Sequence, residues 1–599
     1  MKQLFKKYIL PFFALLAMGL ACYSNAFCSG FLMDDYAYIL GNSTATDFSI
    51  KGAFTQSVDH FYRPMCVLLS RGAWILFQKD PTGYHIFNFL IFILAGYLFF
   101  ILWRRLLGNA PLAFLASCLY LVHPINNLLV NYKTASCLTF SVLTAQAGIM
   151  AFLNFWDGRR IAWYLVSMVL FFCSLFFHEV NFLVPVYLFL ILYFLKGYSG
   201  GRALKICLPF AVPLLMFLVI RINIPGAMPG ANPFYPPIWV SQYISTLVAL
   251  IKWYLLRLVV PAGILIERNE GIHAHLNWGT LGIIALAVFV ITVLFVRWKK
   301  SSKSLFLALF LIGFPHLYFL SFLYVASTYT GLIEPHWFLF PSIGFFLLAA
   351  SGLLALKKRI RSVVWIAFVV CLFLALGVLT RQANEPWKTQ VTYARYWIKL
   401  NPANKMAWYE LARAILDAGK GAEDPVTLKS FDSFLKEKKN PLAYGKRAVA
   451  YVAIGRYDLA LSDYNEALKF ELGPYAAEIY NGRGSVYAFK KEYDSALVEY
   501  NHAIALNPFF AKAYSNRGVV YGKRKQYDLE IADYNRAIKF DPGADYAYYN
   551  RALAFEANNE HEKAYEDLVK AKALGQHIND AWIKAFKNHM IVPPGHPNP

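Results

Sequence analysis

Charge is scarce in this sequence. Charged residues occupy 16% of its 599 positions, against about a quarter in an ordinary soluble chain, and the shortfall excludes a solvated globular surface over much of the length. Acidic residues are the scarcer sign, 36 against 58 basic, for a net charge of +22. In a soluble protein that excess points to a nucleic-acid partner. Here the basic residues fall in short clusters between apolar runs, so they report membrane topology, and no nucleic acid is expected. Cysteine is sparse too: eight residues, all before position 380, with no Cys-x-x-Cys pair and no Cys/His metal spacing. That pattern argues against a disulfide framework or a zinc site.

What is present is hydrophobic: 58% of residues, 17% aromatic, with a mean hydropathy of +0.41. This is the composition of a membrane protein. Apolar runs near the length a helix needs to cross the hydrocarbon recur near 8–23, 84–103, 111–123, 136–155, 161–177, 180–195, 206–222, 276–296, 305–325, 337–356 and 362–380, eleven crossings in all. The first run, behind Lys2, Lys6 and Lys7, also fits a signal peptide; the many later spans favour an uncleaved first helix. Clusters at Arg104/Arg105, Arg159/Arg160, Lys196/Arg202/Lys205, Arg297/Lys299/Lys300/Lys303 and Lys357/Lys358/Arg359/Arg361 then fall on the side of the N-terminus, which the positive-inside rule makes cytoplasmic. Segment 240–260, with Lys252 and Arg257 inside it, breaks that alternation as a crossing and is read as interfacial or re-entrant. On the far side lie the 24–83 loop, "HPINN" at 123–127, "HE" at 178–179, "EPHW" at 334–337 and everything after 380. Short loops and a compact C-terminal half favour a bacterial inner membrane.

After "TRQANEPW" continuous hydrophobicity gives way to helical patterning. Tyr480, Tyr514 and Tyr548 stand 34 residues apart, with Gly484/Gly518/Ala552, Tyr487/Tyr521/Phe555, Tyr500/Tyr534/Leu568 and Ala503/Ala537/Ala571 in the same register. This is the tetratricopeptide pattern of paired helices. An earlier copy starts at Tyr444, two residues out of phase, and a degenerate one surrounds Trp408. The fold class is therefore all-α: a polytopic membrane bundle over 1–380, a linker and degenerate repeat over 381–443, a repeat solenoid over 444–576, and a capping helix and tail over 577–599. Such solenoids bind extended peptides or partner proteins on a concave face.

Within "FLMDDYAYI" two adjacent carboxylates, Asp34 and Asp35, stand just past the first span. Ionisable groups against a bilayer are costly and mark function. The same loop continues to "HFYRPM", with His60, Tyr62 and Arg63. Moving a sugar from a lipid phosphate to a hydroxyl needs such a mixture. A carboxylate takes the acceptor's proton, while Arg, His or a metal opposes the charge on the departing phosphate. A guanidinium fits phosphate oxygens bidentately, so Arg63 is the candidate for that task.

The order "FLMDDYAYILGN", "YRPMCVLLS", "GYHIFNFLIF", "LYLVHPINN", "FFHEVNFLVPVYL" and "WFLFPSIGFFLL", followed by repeats, resembles the transmembrane and tetratricopeptide repeat-containing O-mannosyltransferases and their bacterial relatives, C-type glycosyltransferases. The resemblance implies an inverting transferase that uses a polyprenyl or dolichyl phosphosugar, with the first-loop acidic pair at the active centre. Asp34 and Asp35 match its acidic motif, Tyr62, Arg63 and Pro64 its loop motif, and His85 and Asn88 the start of its second span. His123 and Pro124 match "HP", Glu179 the acid of a Lys-Glu pair, and Pro341 and Ser342 a late Pro-Ser. The chain departs from the pattern at His178, where Lys precedes the acid, and at Pro335-His336, where Glu-Arg stands. Either His178 and His336 serve the donor phosphate, or the donor site has diverged, or a divalent metal, magnesium or manganese, supplies the charge. Trp337 is positioned to stack on a sugar, or simply to sit at the interface.

Three readings follow: an extracytoplasmic hexosyltransferase whose repeats hold an acceptor protein; a non-catalytic membrane-anchored repeat scaffold, which leaves Asp34, Asp35 and Arg63 unexplained; and a glycan flippase or polymerase, disfavoured by the few charges inside the spans. A topology reporter fused at residue 520 is expected on the extracytoplasmic side. A cytoplasmic readout would put the bilayer between the acidic loop and the repeats and undo the first reading.

Overall fold

Inside a bilayer the chain must satisfy its own backbone groups, which leaves helices as the spanning element of an apolar sequence such as this. The computed structural model describes residues 5–29, 63–78, 80–131, 136–158, 160–224, 256–259, 339–400, 405–417, 425–437 and 439–579, with Gln3, Phe54, Pro261 and Ile583. Among them there are helices and no strands. The chain divides into two compact units, Met1–Leu400 and Asn401–Pro599.

The first unit is a membrane-spanning helical bundle. Five described stretches are long and apolar enough to cross: Phe5–Ala26, Pro81–Leu107, Ser136–Gly158, Gly200–Ile222 and Ser362–Lys388; a sixth, Ala110–Val122 with Pro124–Asn131, is bent by 60°. Their principal helices are α1 (Leu10–Tyr23), α3 (Pro81–Leu107), α4 (Ala110–Val122), α5 (Leu128–Asn131), α6 (Ser136–Gly158), α9 (Gly200–Cys207), α10 (Ala211–Ile222) and α12 (Ser362–Asn384). The shorter α7 (Ile161–Phe177), α8 (Val184–Leu190) and α11 (Leu339–Lys357) occupy three more of the expected runs. The expected spans at 276–296 and 305–325, and most of 240–260, lie outside the described residues.

One helix departs from expectation. Within the 24–83 loop, Pro64–Phe77 forms α2. Pro64 starts it, as proline does at a first helical turn, and fourteen residues are too few to span.

Glycines let the spans approach. A Cβ at Gly96 of α3 would meet Leu121 of α4 at 2.8 Å. Beside that contact Phe92, Phe99 and Tyr120 form a ring cluster, with Tyr120 and Phe99 stacked at 5.7 Å. The helix ends sort by chemistry. Arg104 donates to Lys7 O at 2.6 Å, and Arg105 donates to Asn154 and Asp157, both at 2.7 Å. The N-terminal end of the first helix and the C-terminal ends of the third and sixth therefore gather, and the opposite end collects the candidate loops.

The first unit closes with a 3-10 turn at Glu385–Lys388 and α13 (Gln390–Leu400), which carry it beyond residue 380. In the second unit, helix pairs follow: α14 (Lys405–Asp417) with α15 (Pro425–Glu437), α16 (Pro441–Ala453) with α17 (Tyr457–Ala467), α18 (Ala476–Phe489) with α19 (Tyr493–Leu506), α20 (Ala511–Lys523) with α21 (Tyr527–Phe540), and α22 (Asp545–Ala557) with α23 (His561–Ala573). The degenerate copy around Trp408 is thus a helix pair, packed through Tyr409 on Phe434 at 5.0 Å. The two extra residues after the Tyr444 copy enter a turn at Gly473–Tyr475. Most of the expected capping helix lies outside the described residues.

The 34-residue register has a side-chain cause. Arg447, Arg483, Arg517 and Arg551 each pair with an acid on the next helix, Asp463, Glu499, Asp533 and Asp567, at 2.7–2.8 Å. Three of them also donate to an asparagine of the preceding repeat, Asn465, Asn501 or Asn535. Each guanidinium lies over the tyrosine three residues before it, 5.3–5.8 Å from the ring centre. Gly484 is small because the Tyr500 ring stands where its Cβ would be, at 2.8 Å.

One repeat breaks the pattern. Where the others bury Ala460, Ala496 and Ala564, α21 buries Glu530, which fits because Gly522 opposite it has no side chain. Burial pushes the Glu530 carboxyl up to about 7 from 4.5, against the Tyr534 hydroxyl and Lys523, which lower it. The folded state then keeps a proton that the unfolded chain gives up, so this group's stabilising contribution is present below pH 4.5 and lost as the pH rises through about 7. Hydrogen exchange of α21 is expected to show local stability falling by roughly 3 kcal/mol between pH 5 and pH 8, and Glu530→Gln to flatten that fall. Equal pH profiles in both proteins would contradict it.

Candidate functional site

Helix ends are where a spanning chain exposes unbonded carbonyls, and at the end holding the candidate loops other segments supply the donors. The fourth helix stops at His123 because Pro124 has no N–H to continue it. His123 Nδ1 accepts from Ile125 N at 3.2 Å, and Asn126 Nδ2 donates back to Tyr120 O at 2.8 Å. His123 Nε2 reaches Leu258 O at 3.0 Å. The 240–260 segment therefore docks its one described turn, 256–259, on the "HP" break.

A polar clasp joins this break to the first and last spans. Asn384, buried on α12, accepts from Asn131 Nδ2 at 2.7 Å and donates to Cys22 O and Asn25 Oδ1 at 3.0 and 2.9 Å. Thr380 donates to Val122 O at 2.5 Å, Asn127 to Ala383 O at 2.8 Å, and Arg381 to Ala21 O at 2.8 Å and Ser24 Oγ at 2.9 Å. Asn25 Nδ2 donates to Arg381 O and to Glu385.

The acidic loop is tethered where it enters and where it leaves. At the entrance, buried His85 stands 3.0 Å from Val130 O through Nδ1 and 3.1 Å from Ser29 O through Nε2; Ser29 lies just ahead of Asp34. At the exit, Arg63 Nη2 contacts His178 Nε2 at 3.5 Å, and Cys66 Sγ donates to Phe177 O at 3.3 Å. A chain of rings, Phe77 to Phe87 to Phe140 to Phe177, spaced 5.8–6.0 Å apart, backs this exit across α2, α3, α6 and α7.

Of the residues singled out from the sequence, Arg63 and His178 meet directly, and His85, Asn88 and His123 are buried at the same end. The ring nitrogens of His85 and His123 are engaged by the protein's own backbone. Asp34, Asp35, His60, Tyr62, His336 and Trp337 lie outside the described residues, as do the side chains of Glu179, Pro341 and Ser342. Among the described residues no three His, Cys, Asp or Glu side chains stand together as a metal site. Sequence reasoning passed over Asn25, Asn131, Thr380 and Asn384. Their signal was amide and hydroxyl side chains at the ends of apolar runs, where polar groups need partners.

These features define an all-helical integral membrane protein with a tetratricopeptide-repeat solenoid and a polar centre at one end of the bundle. The repeat family described as "TPR repeat" matches residues 484–525, and "Tetratricopeptide repeat" families match 445–502 and 511–543. The kinship read from the motifs is borne out by three relatives. The human Protein O-mannosyl-transferase TMTC3 is 24% identical over 66% of this chain and 48% of its own length. The mouse protein of the same name is 24% identical over the same shares. Protein O-mannosyl-transferase Tmtc1 of Drosophila melanogaster is 28% identical over 21% of this chain and 16% of its own length. The chain thus spans about half the length of the first two. The crystal structure of MamA is 25% identical over 27% of this chain and 94% of that one, with a TM-score of 0.24.

Replacing Asn384 by Leu leaves Cys22 O, Asn25 and Asn131 without their shared partner. A loss of roughly 1–3 kcal/mol is expected, visible as a lower melting temperature in detergent. Ser351→Ala, which removes only a bond within α11, is the control. Equal shifts for the two variants would deny the clasp its role.

Proposed function

We propose that this protein is a membrane glycosyltransferase that moves a hexose from a polyprenyl or dolichyl phosphate donor to a hydroxyl acceptor. The relatives' printed names, Protein O-mannosyl-transferase, favour mannose as the sugar and a protein as the acceptor, and the hydroxyls a protein offers for such transfer are those of Ser and Thr. The reaction runs on the extracytoplasmic side of a bacterial inner membrane, with the N-terminus cytoplasmic and the repeats, which bind the acceptor or a partner, on the side of the site. In the step, the acceptor O–H gives its proton to Asp34 or Asp35. Its oxygen forms a bond to the anomeric carbon from the face opposite the donor phosphate, inverting that carbon. The carbon–oxygen bond to the phosphate breaks, and the lipid phosphate leaves with the electron pair, its charge opposed by Arg63. A divalent cation, magnesium or manganese, is a further group to test at that phosphate.

The observation that carries this reading is the Arg63–His178 contact. Two residues selected separately for phosphate chemistry, far apart in sequence, meet at the exit of the loop that bears the acidic pair. The scaffold reading gives that meeting no task.

Transfer of labelled hexose from a polyprenyl phosphosugar, scored in protein and lipid fractions of membranes with and without divalent metal, tests it. Wild type is expected to label protein, and Asp34→Asn or Asp35→Asn to lower the label by a hundredfold or more, the upper part of a general base's contribution of about 10²–10⁴. No label from mannose or any other donor would leave the scaffold standing.

A further inference from the structure

The turn between α11 and α12 carries more positive charge than the fold neutralises. It reads Lys357, Lys358, Arg359, Ile360, Arg361, and its four cations are exposed. No acid stands anywhere from residue 335 to residue 384, and among the described residues none forms an ion pair with these four. The first and last spans run in the same direction, since Cys22 and Asn25 meet Asn384 at their far ends. The turn therefore lies at the end of the bundle where Lys7, Arg104 and Arg105 gather. There Arg104 is engaged by Lys7 O, and Arg105 by Asn154 and Asp157.

The turn is held in shape without its cations' help. Lys358 N and Arg359 N donate to Ala355 O and Leu356 O at 3.2 and 2.9 Å. The Trp365 indole donates back to Leu353 O at 2.7 Å, and Lys357 Nζ lies 5.1 Å from that ring's centre. Its depth is set by α12, whose 23 residues extend about 35 Å against about 30 Å of hydrocarbon. The turn thus stands at the level of the lipid headgroups. Beside it, Val363, Ile366 and Val370, spaced along one face of α12, are 78%, 54% and 49% exposed.

We propose that the α11–α12 turn binds an anionic phospholipid, its phosphate held by Lys358, Arg359 and Arg361 and an acyl chain laid along Val363, Ile366 and Val370. Guanidinium groups take phosphate oxygens bidentately, and cations at a bilayer surface attract anionic lipid. The apolar stripe decides the source of the phosphate. A soluble phosphate ester answers the cations and leaves the stripe bare, whereas a phospholipid covers both. Charge alternation between spans asks only for cations on one side; it does not ask for a turn pinned by an indole hydrogen bond beside a lipid-facing stripe. The site stands apart from the transferase chemistry.

The full-length protein in neutral detergent micelles is titrated with a photoactivatable phosphatidylglycerol and, separately, with the phosphatidylcholine of the same acyl chains, and the crosslinks are mapped. Phosphatidylglycerol is expected to label residues 357–370 at a concentration lower than phosphatidylcholine by about tenfold or more, as attraction to several cations predicts. Joint replacement by Lys358→Gln, Arg359→Gln and Arg361→Gln should erase that preference, while Arg202→Gln with Lys205→Gln, in the basic cluster on α9, should keep it. Equal labelling by the two lipids, or labelling confined to other segments, overturns the proposal. So does an equal loss in the α9 variant, which makes the preference a general effect of charge, and so does displacement of the lipid by glycerol phosphate at equal concentration, which makes the site one for a soluble anion. The comparison of the two lipids on wild type needs no variant, and it decides the question should the triple replacement fail to fold.

Discussion

The constraint on which the membrane unit depends is the fate of carbonyl groups at helix ends. An α-helix leaves its last four carbonyls without intrahelical partners, and close to hydrocarbon there is little water to take them. At one end of this bundle the donors come from side chains of other segments. Tyr23 donates to Leu121 O, Thr380 to Val122 O, Asn384 to Cys22 O and Cys66 to Phe177 O, while His123 holds Leu258 O. Each such bond fixes two segments at once, so the ends of the first, fourth and last spans are mutually located by polar chemistry, and α7 is tied to α2, while the shafts are located by Phe, Leu and small residues. The opposite end is tied by arginines to Lys7 O, Asn154 and Asp157.

That constraint bears on the chemistry proposed for the loop. A catalytic constellation stabilises a transition state only if its charges are held in place beforehand. Here the acidic loop leaves the bundle past Ser29, gripped by His85, and returns at Arg63, gripped at His178 and stiffened by the Cys66 bond. The entrance is held through the Ser29 carbonyl, and the exit at the His178 ring and through the Cys66 bond to Phe177 O. The histidines divide by their partners. His85 and His123 stand against backbone carbonyls, whereas His178 meets a guanidinium.

How much of this was legible in the sequence depended on how far apart the partners lie. The repeats were read correctly because their determinants are local: the tyrosine register of 480, 514 and 548 marks an arginine three residues on and an acid sixteen further. Five of the expected spans, at 8–23, 84–103, 136–155, 206–222 and 362–380, are described at crossing length, and these were legible from hydrophobic length. The clasp was not, because Asn25 and Asn384 are 359 residues apart, and an asparagine at a span end looks the same whether it bonds water or another span. The second helix was hidden by its brevity, since fourteen apolar residues in a loop fit no spanning template. Glu530 was hidden because its burial depends on a missing side chain at Gly522, one helix earlier.

The same difference in range separates the two units physically. In the repeats each arginine binds an acid sixteen residues later, and three of the four also bind an asparagine sixteen or eighteen residues earlier, so these units close on themselves and their neighbours, and stability accumulates from one repeat to the next. Two added residues between the copies at Tyr444 and Tyr480 are absorbed by one 3-10 turn, with the Arg447–Asp463 and Arg483–Glu499 pairs intact on either side. The membrane unit has no such tolerance. An insertion in the first span that rotated Cys22 and Asn25 away from Asn384 would break bonds formed across nearly the whole unit, and with them the stem of the acidic loop. Repeat number and phase can therefore drift within the solenoid, while the polar end of the bundle depends on bonds between segments far apart in the chain.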